Sequence, residues 1–352
     1  MKNFNLKTYA CLFILVIITT ELSAQNKECD YISSRYYHKV AQAELFWMEE
    51  NYKECYRILS ELDSTCALLN SGCIELYHFL ELSLQYKNYP KAFESIRSYI
   101  TNYGVKLKDF KDLPNFREME KIQNWKNWKK ELSHLEKNFV SDTKLYNEIM
   151  QMYKDDQYYR ENDYQRIKEL MKKDPAYSDS LANVSFMRFH KFLDPYKPLL
   201  DSIDNINYQK LLHIIDTKGF PFSSSIKYYH DQRSSIFFPL YSMLWHFSSD
   251  SAKVNHLKII LPQYIRQGDC PPDMLSSMVD MYQRRNKQPV LYEVPTNCSQ
   301  GKCTRENIVD YEKLDERRKE IGLPDYEVSR LLDIKRHAIM RVANAANPKN
   351  KR

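Results

Sequence analysis

The first third of the chain contains two similar stretches, and this repetition constrains the fold more than any other feature of the sequence. The stretch that begins at Asn51-Tyr52 aligns with the one that begins at Asn88-Tyr89. Each follows a longer segment, 36–49 in the first copy and 74–86 in the second, whose apolar residues recur at the spacing of an amphipathic helix. The pattern predicts two helix–turn–helix units, each with a tight Asn-Tyr turn.

The two copies resemble the tetratricopeptide repeat, a pair of helices of about 34 residues. Small residues stand where the paired helices would touch: Ala43 in a first helix, and Cys55 and Ala92 in second helices. The glycine usual in the first helix is missing, and Leu80 takes its place in the second copy. The resemblance implies a concave face that binds peptides or a neighbouring domain. Two copies are fewer than the three or so needed for independent stability, so the alternative is a module that braces the rest of the chain.

A third element follows the two copies. It runs from Leu113 to Met119 and continues to Trp125 and Trp128. We interpret the two tryptophans as packing residues, because large aromatic side chains dominate the energetics of a core, rather than as part of a ligand site. This element is predicted to cap the helical stack, which then occupies residues 25–138.

The chain begins with the pattern of a secretory signal peptide. Lys2 and Lys7 precede an apolar run from Tyr9 to Thr20, and Leu22-Ser23-Ala24 supplies small residues for cleavage after residue 24. A membrane anchor, the alternative, needs about 20 apolar residues, and this run is shorter. A lipoprotein would have cysteine directly after the small residues, where Gln25 stands. The sequence therefore predicts a periplasmic or secreted protein without a membrane span.

Composition favours a mostly helical chain. The 6 glycines and 14 scattered prolines argue against an all-β sandwich, which needs many tight turns. The net charge is +6 and basic residues alternate with acidic ones, so a nucleic-acid partner is not expected. The 352 residues are enough for two domains. The predicted fold class is mostly α: N-terminal α-hairpin repeats followed by a helical domain with at most a short β-strand or hairpin.

The cysteines predict at least one disulfide. Eight become seven when Cys11 leaves with the signal peptide, and export favours pairing of the rest. Cys298–Cys303 encloses a short polar loop and is the preferred pair, with half of a zinc site as the alternative. Cys66–Cys73 flanks another loop and is a second candidate pair. Cys55 is interpreted as inert core, and Cys270 has no obvious partner.

The second half of the chain is predicted to consist of helices with one short strand. Residues 288–294 alternate in polarity, with Val290, Tyr292 and Val294 on one face, which is typical of a strand. The segment Asp204–Asn207 is typical of a helix start. Apolar periodicity predicts helices at 141–160, 208–217, 234–247, 254–267, 274–284 and 326–345. The helical domain is placed at 139–346, followed by a disordered basic tail at 347–352.

Short motifs in this half resemble an uncharacterised domain family of exported proteins of Gram-negative bacteria. They are Asp156-Gln157-x-x-Arg160, Gly219-Phe220-Pro221, His246, Asp280, Gln288…Tyr292 and Arg317-Arg318-x-x-Ile321-Gly322-Leu323, in the family's order. The resemblance covers roughly residues 145–326. Two positions depart from it: the family usually has arginine where Met281 stands and glycine where Glu293 stands. Because the family has no established activity, the resemblance implies domain boundaries rather than chemistry.

Polar residues that a packed helical core does not require are the candidates for a site. The candidate catalytic residues are His246, Asp280, Asp156 and Arg160. A carboxylate beside the imidazole could orient it as a general base, and an arginine could hold an anionic or carbonyl substrate. The candidate binding residues are Gln157, Gln288, Tyr292, Arg317 and Arg318. The alternative is a buried network of hydrogen bonds and ion pairs that fixes the helices in register.

Several well-known catalytic motifs are missing from the sequence, including Gly-x-Ser-x-Gly, His-Glu-x-x-His and a phosphate loop. Ser224 could be imagined as a nucleophile, but the run Ser223–Ser225 is better interpreted as capping the next segment. No metal or other cofactor is predicted.

The sequence favours an interaction or scaffold protein of the cell envelope that binds a protein or peptide partner. A hydrolase-like enzyme with a His/Asp/Arg site in the second half is the alternative. Candidate residues that converge in an open pocket would favour the enzyme, and a buried, mutually bonded network would favour the scaffold. No oligomeric state follows from the sequence.

Overall fold

The structure is a computed structural model that describes residues 29–69, 75–173, 197–222, 226–293, 298–299, 302–303 and 307–346. For residues 159, 161–173, 233–234, 298–299, 302–303 and 340–346 it describes the backbone alone. The predictions about the signal peptide, about Cys73, about Ser223–Ser225 and about the basic tail fall outside the described residues.

The described residues form thirteen helices and one β-hairpin whose strands are two residues each, which confirms the mostly α fold class. None of these helices has the length and apolar character needed to cross a membrane. Short 3₁₀ turns lie at Leu107–Phe110 and Tyr311–Lys313. The helices are α1 (Tyr36–Met48), α2 (Tyr52–Thr65), α3 (Glu75–Gln85), α4 (Tyr89–Tyr103), α5 (Phe116–Met119), α6 (Trp125–Asn138), α7 (Thr143–Lys173), α8 (Lys197–Lys218), α9 (His230–Phe247), α10 (Ser251–Arg266), α11 (Pro272–Arg285), α12 (Leu314–Glu320) and α13 (Tyr326–Ala346).

Helices α1 to α4 form two helix pairs, α1 with α2 and α3 with α4, and α2 also packs against α3. The Asn-Tyr turns start the second helix of each pair, because the side chain of Asn51 accepts a hydrogen bond from the Glu54 N–H and that of Asn88 accepts one from Lys91. Cys55 and Ala92 are fully buried, as expected for small residues at helix contacts.

The third element packs against the second helix pair. The ring of Trp128 stacks on Phe93 with centroids 4.6 Å apart, and Trp125 meets Phe116 edge to face at 5.4 Å. Helix α6 packs along α4. Both tryptophans therefore serve packing, as the sequence predicts.

Helices α7 to α11 form the body of the second half. Helix α9 lies at its centre and contacts α7, α8 and α11. One boundary differs from the prediction: α8 begins at Lys197, so Asp204–Asn207 lies inside a helix rather than at its start. The apolar face continues backward through Leu200, and both Asp204 and Asn207 are buried on that face. Burial of this face outweighs the local preference of Asp and Asn for a helix start.

The strand expected at 288–294 is not formed over the described residues 288–293. Val290 makes a single parallel bridge to Ile308. The next two N–H groups, of Leu291 and Tyr292, donate instead to the carboxylate of Asp280. The β-hairpin of the structure lies further on, where β1 (Cys298–Ser299) pairs antiparallel with β2 (Lys302–Cys303).

The last helix packs back onto the first. Arg336 of α13 forms a two-point ion pair with the buried Glu44 of α1, at 2.6 and 2.8 Å, and Lys335 reaches Glu49 at 2.8 Å. The segment before α1 joins the halves as well, since the Tyr31 N–H donates to the carbonyl of Arg266 at 2.9 Å. Packing thus crosses the predicted boundary at residue 138, and the first helix is partly covered by the chain itself.

A disulfide joins Cys29 to Cys66, so the candidate pair Cys66–Cys73 is wrong. The disulfide fixes residues 29–35, which we call the entry segment. This segment lies between the end of α2 and the second half of the chain. Cys298 and Cys303 stand directly opposite each other in the β-hairpin, and their side chains are outside the described atoms. Cys55 and Cys270 are buried free thiols.

His78 should make the fold sensitive to acid. Its imidazole is 3% exposed and stacks on Trp47 at 3.7 Å, and burial lowers its pKa to about 4. As the pH falls, the unfolded chain therefore binds a proton at this histidine near pH 6.5, whereas the folded chain binds it only near pH 4. The free energy of unfolding consequently decreases as the pH falls from about 6.5 to 4. We expect a loss of about 3 kcal/mol over that window.

His78→Phe keeps the stacked ring and removes the titration. Urea unfolding at pH 7 and at pH 4.5 should show a smaller acid loss for this variant than for the wild-type chain. An equal loss in both chains would show that His78 is not responsible.

Candidate functional site

Three helices of the second half bring four charged side chains together. Asp156 and Arg160 come from α7, Asp204 from α8 and His246 from α9. Asp156 and Arg160 share a face because they are four residues apart on a helix. We call these four residues the polar cluster.

The polar cluster is bonded as a chain. The Nδ1 of His246 lies 2.9 Å from Oδ1 and 2.8 Å from Oδ2 of Asp156. Arg160 donates from Nη1 to Asp156 Oδ1 at 2.5 Å and from Nη2 to both carboxylate oxygens of Asp204 at 3.0 and 3.1 Å. Gln157 donates from Nε2 to Asp156 Oδ2 at 2.5 Å. Arg160 therefore holds both carboxylates, and the amide of Gln157, outside the cluster, also donates to Asp156.

Burial and nearby positive charge shift the pKa values of the two carboxyl groups in opposite directions. Asp156 is fully buried, which raises its pKa, but the hydrogen bond and charge of His246, together with Arg160, outweigh burial and lower the pKa from 3.8. Burial also raises the pKa of Asp204, and there the interaction with Arg160 does not fully compensate. Asp156 is consequently the firmly ionised member of the pair, and Arg160 is its buried counter-ion.

This arrangement has the geometry of an oriented imidazole. Since Asp156 holds Nδ1, the Nε2 atom of His246 is directed away from the carboxylate, as in a general base. The side chains of His246 and Arg160 are each 13% exposed, so solvent reaches the polar cluster only at its edge.

Ligand atoms of Asp156, Asp204 and His246 all lie within 4.8 Å of one another, close enough to hold a divalent cation. However, the guanidinium of Arg160 already bonds to both carboxylates. A metal ion would have to displace that side chain and leave a largely buried guanidinium without a carboxylate partner, which is costly. The donor set therefore fits the arginine better than a metal.

The fourth candidate catalytic residue, Asp280, is not part of the polar cluster. It is fully buried, and its Oδ1 accepts hydrogen bonds from the N–H groups of Leu291 and Tyr292 at 2.9 and 3.0 Å. The carboxylate thus positions the loop that follows α11.

The candidate binding residues Arg317 and Arg318 hold the same loop through backbone carbonyls. Arg317 donates to the carbonyl of Leu291 at 3.1 Å. Arg318, only 1% exposed, donates to the carbonyl of Tyr292 at 2.6 Å and to that of Pro324 at 2.8 Å. These donors are committed to backbone carbonyls within the chain.

The remaining candidate binding residues of this loop are Gln288 and Tyr292. Gln288 is exposed, and its backbone N–H donates to the Gln283 carbonyl just after the end of α11. Tyr292 is 9% exposed, and burial raises the pKa of its hydroxyl to about 12. Glu293 has φ of 43°, a conformation that favours glycine.

The sequence interpretation did not identify Asp204. Its position suggested a helix cap, but Leu200, Asp204, Asn207 and Tyr208 follow the spacing of one helix face, and all four are buried. An acidic residue in the middle of a buried face needs a cation partner, and Arg160 is the partner that the structure supplies.

A second feature lies where the helix pairs meet the second half. A cavity of about 270 Å³, which we call the tyrosine cavity, is lined by side chains of α3, α4, the following 3₁₀ turn and the start of α9. Tyr77 at its mouth is 40% exposed. The lining residues are Tyr77, Tyr99, Val105, Phe110 and Leu113, with Asp109 and His230 as the polar members.

A second opening shares Leu113 with the tyrosine cavity. It measures about 350 Å³, and we call it the charged cavity. It is lined by Lys111, Asp112, Leu113, Asn115, Arg117 and Glu118. The two cavities are neighbours across one side chain.

Comparisons of the chain with protein families, curated proteins and solved structures find no match. The polar cluster and the two cavities are therefore the features from which a function can be inferred.

Proposed function

We propose that the chain is an interaction protein that works outside the cytoplasm and binds a polypeptide partner at the tyrosine cavity. The observation that supports this most is an open, aromatic-lined cavity at the junction of the helix pairs and the second half. Exposed tyrosine suits binding, because it offers a large apolar surface and a hydrogen-bonding hydroxyl with few rotatable bonds.

The location outside the cytoplasm is supported by the sequence of residues 1–24 and by the disulfide. Cys29–Cys66 closes soon after the expected cleavage site, and such bonds persist in oxidising compartments. The helix pairs are proposed to be divergent tetratricopeptide-like repeats whose first helix is braced by α13 and whose α3 and α4 supply the cavity wall.

The polar cluster is proposed to be structural. Its carboxylates are buried and its arginine is bonded to both of them, which is the arrangement of a network that fixes α7, α8 and α9 in register. The hydrolase-like alternative is favoured by one observation, the Nδ1 of His246 held by Asp156. It predicts hydrolysis of an ester, amide or phosphate substrate that is lost in His246→Gln.

Photo-cross-linking tests the binding proposal. A photoreactive phenylalanine analogue in place of Tyr77 should give a discrete adduct with a partner protein when the mature chain is expressed in its own compartment. Tyr86 is the matched control position, because it directly follows α3, is 43% exposed and does not line the cavity.

Filling the cavity supplies the second control. Val105→Trp in the Tyr77-substituted chain should remove the adduct because the larger ring occupies the space. Adducts of equal yield from both tyrosine positions, or a yield that Val105→Trp leaves unchanged, would contradict the proposal.

A further inference from the structure

The chemistry of the two neighbouring cavities points to one kind of partner. We infer that the occupant is a polypeptide segment in which a large apolar side chain is flanked by acidic residues. This inference rests on the proposed binding function and adds the chemical class of the partner.

The size of the tyrosine cavity fits one side chain. Pockets that enclose whole small molecules measure about 300–1,000 Å³, and this cavity, of about 270 Å³, is smaller. Tyr99 and Phe110 form buried walls, and the carboxylate of Asp109 already accepts a hydrogen bond from the Lys106 N–H. What the cavity offers an occupant is therefore mostly apolar contact.

The lining of the charged cavity contains two cations and two carboxylates, and one of the carboxylates is already paired with a residue outside the lining. Glu118 is already paired with Lys121 at 2.5 Å. Lys111 and Arg117 are exposed, and neither has an ion pair with another of the residues described by the structure. Asp112 is the carboxylate that remains to oppose these two cations. An acidic group entering here gains charge-assisted hydrogen bonds, and a basic one is repelled.

The two cavities can be reached by one extended segment. They share Leu113, and in an extended chain side chains two positions apart point to the same side at a spacing of about 6.6 Å, so an apolar residue and an acidic residue two positions along can each enter one of them. The net charge of the chain, +6, also favours the approach of an acidic partner.

Three dye-labelled peptides test the inference on the full mature chain by fluorescence polarisation at low salt. The first is Asp-Phe-Asp-Glu, the second Lys-Phe-Lys-Lys, and the third Asp-Gly-Asp-Glu. We expect the first to bind most tightly, and Lys111→Glu and Arg117→Glu each to weaken it about tenfold, the effect of one lost charge-assisted contact. Val105→Trp should abolish binding.

Lys258→Glu is the matched control, because Lys258 is an exposed lysine of α10 outside both cavities, and this change should leave binding unaltered. Circular dichroism checks that each variant is folded. The inference is overturned if the lysine peptide binds as tightly as the acidic one, if the glycine peptide does, or if none of the three binds. Should a specific Tyr77 cross-link persist while the peptides fail, only the acidic chemistry is wrong; should both fail, the binding function fails too.

Discussion

Asp156→Ala should destabilise the protein by about 3–5 kcal/mol, the cost of removing one partner from a buried ion pair. The variant leaves His246 without its carboxylate and leaves Arg160 with Asp204 as its carboxylate partner in the polar cluster, beside the backbone carbonyl of residue 156. Urea unfolding followed by circular dichroism at pH 7 measures the loss. Because the pKa of Asp156 is lowered in the folded state, the contribution is present above pH 3.8 and is lost as the pH falls through the folded value.

The adjacent Asp155 provides the matched control. Its carboxylate accepts one hydrogen bond from Gln151 at 2.7 Å near the surface, so Asp155→Ala should change stability by less than about 1 kcal/mol. Equal effects of the two alanine substitutions would show that the polar cluster does not hold the three helices together.

The second large effect concerns the disulfide. Cys29→Ser combined with Cys66→Ser should cost about 4 kcal/mol, because the bond closes a loop with a sequence separation of 37 residues. The entry segment would also lose its tether to α2, although Asp30 still pairs with Arg266 at 3.0 Å. Thermal unfolding with and without a reducing agent measures the effect.

Reducing agent should lower the melting temperature of the wild-type chain more than that of the double variant, and the two chains should melt at the same temperature once reduced. Equal falls in the two chains would show that the Cys29–Cys66 bond contributes nothing. The difference between the chains isolates this bond, because the expected Cys298–Cys303 pair is the same in both, and Cys55 and Cys270 are buried free thiols.

Local features of the first half could be predicted because they depend on neighbouring residues. The turns at Asn51 and Asn88 are helix caps that each use a donor three residues away. The buried positions of Cys55 and Ala92 follow from helical spacing alone. The tryptophans of the third element were placed correctly for the same reason.

Features that depend on distant contacts could not be predicted. Cys66 bonds to Cys29 rather than to a nearby cysteine because the entry segment lies against the end of α2. The expected strand at 288–294 does not form over the described part because Asp280, in a preceding helix, takes the N–H groups that a strand would use. No local pattern encodes either contact.

The same distinction between local features and distant contacts applies to the candidate site. The sequence identified Asp156, Arg160 and His246 as polar residues within apolar helices, and the structure brings these three together. Asp280 and Arg318 were candidates as well, yet Asp280 accepts from backbone N–H groups of the loop after α11, and Arg318 donates to backbone carbonyls and to the Ser329 hydroxyl. A buried polar residue can be satisfied by a side chain or by backbone, and the choice depends on tertiary packing.

The central claim is that the tyrosine cavity binds a partner and that the polar cluster only supports the fold. Cross-linking from position 77 in a chain that also carries His246→Gln tests it most directly. We expect an adduct yield equal to that of the chain with native His246, and no adduct when Val105→Trp is added. Loss of the adduct in a folded His246→Gln chain, with the adduct retained in Val105→Trp, would contradict it.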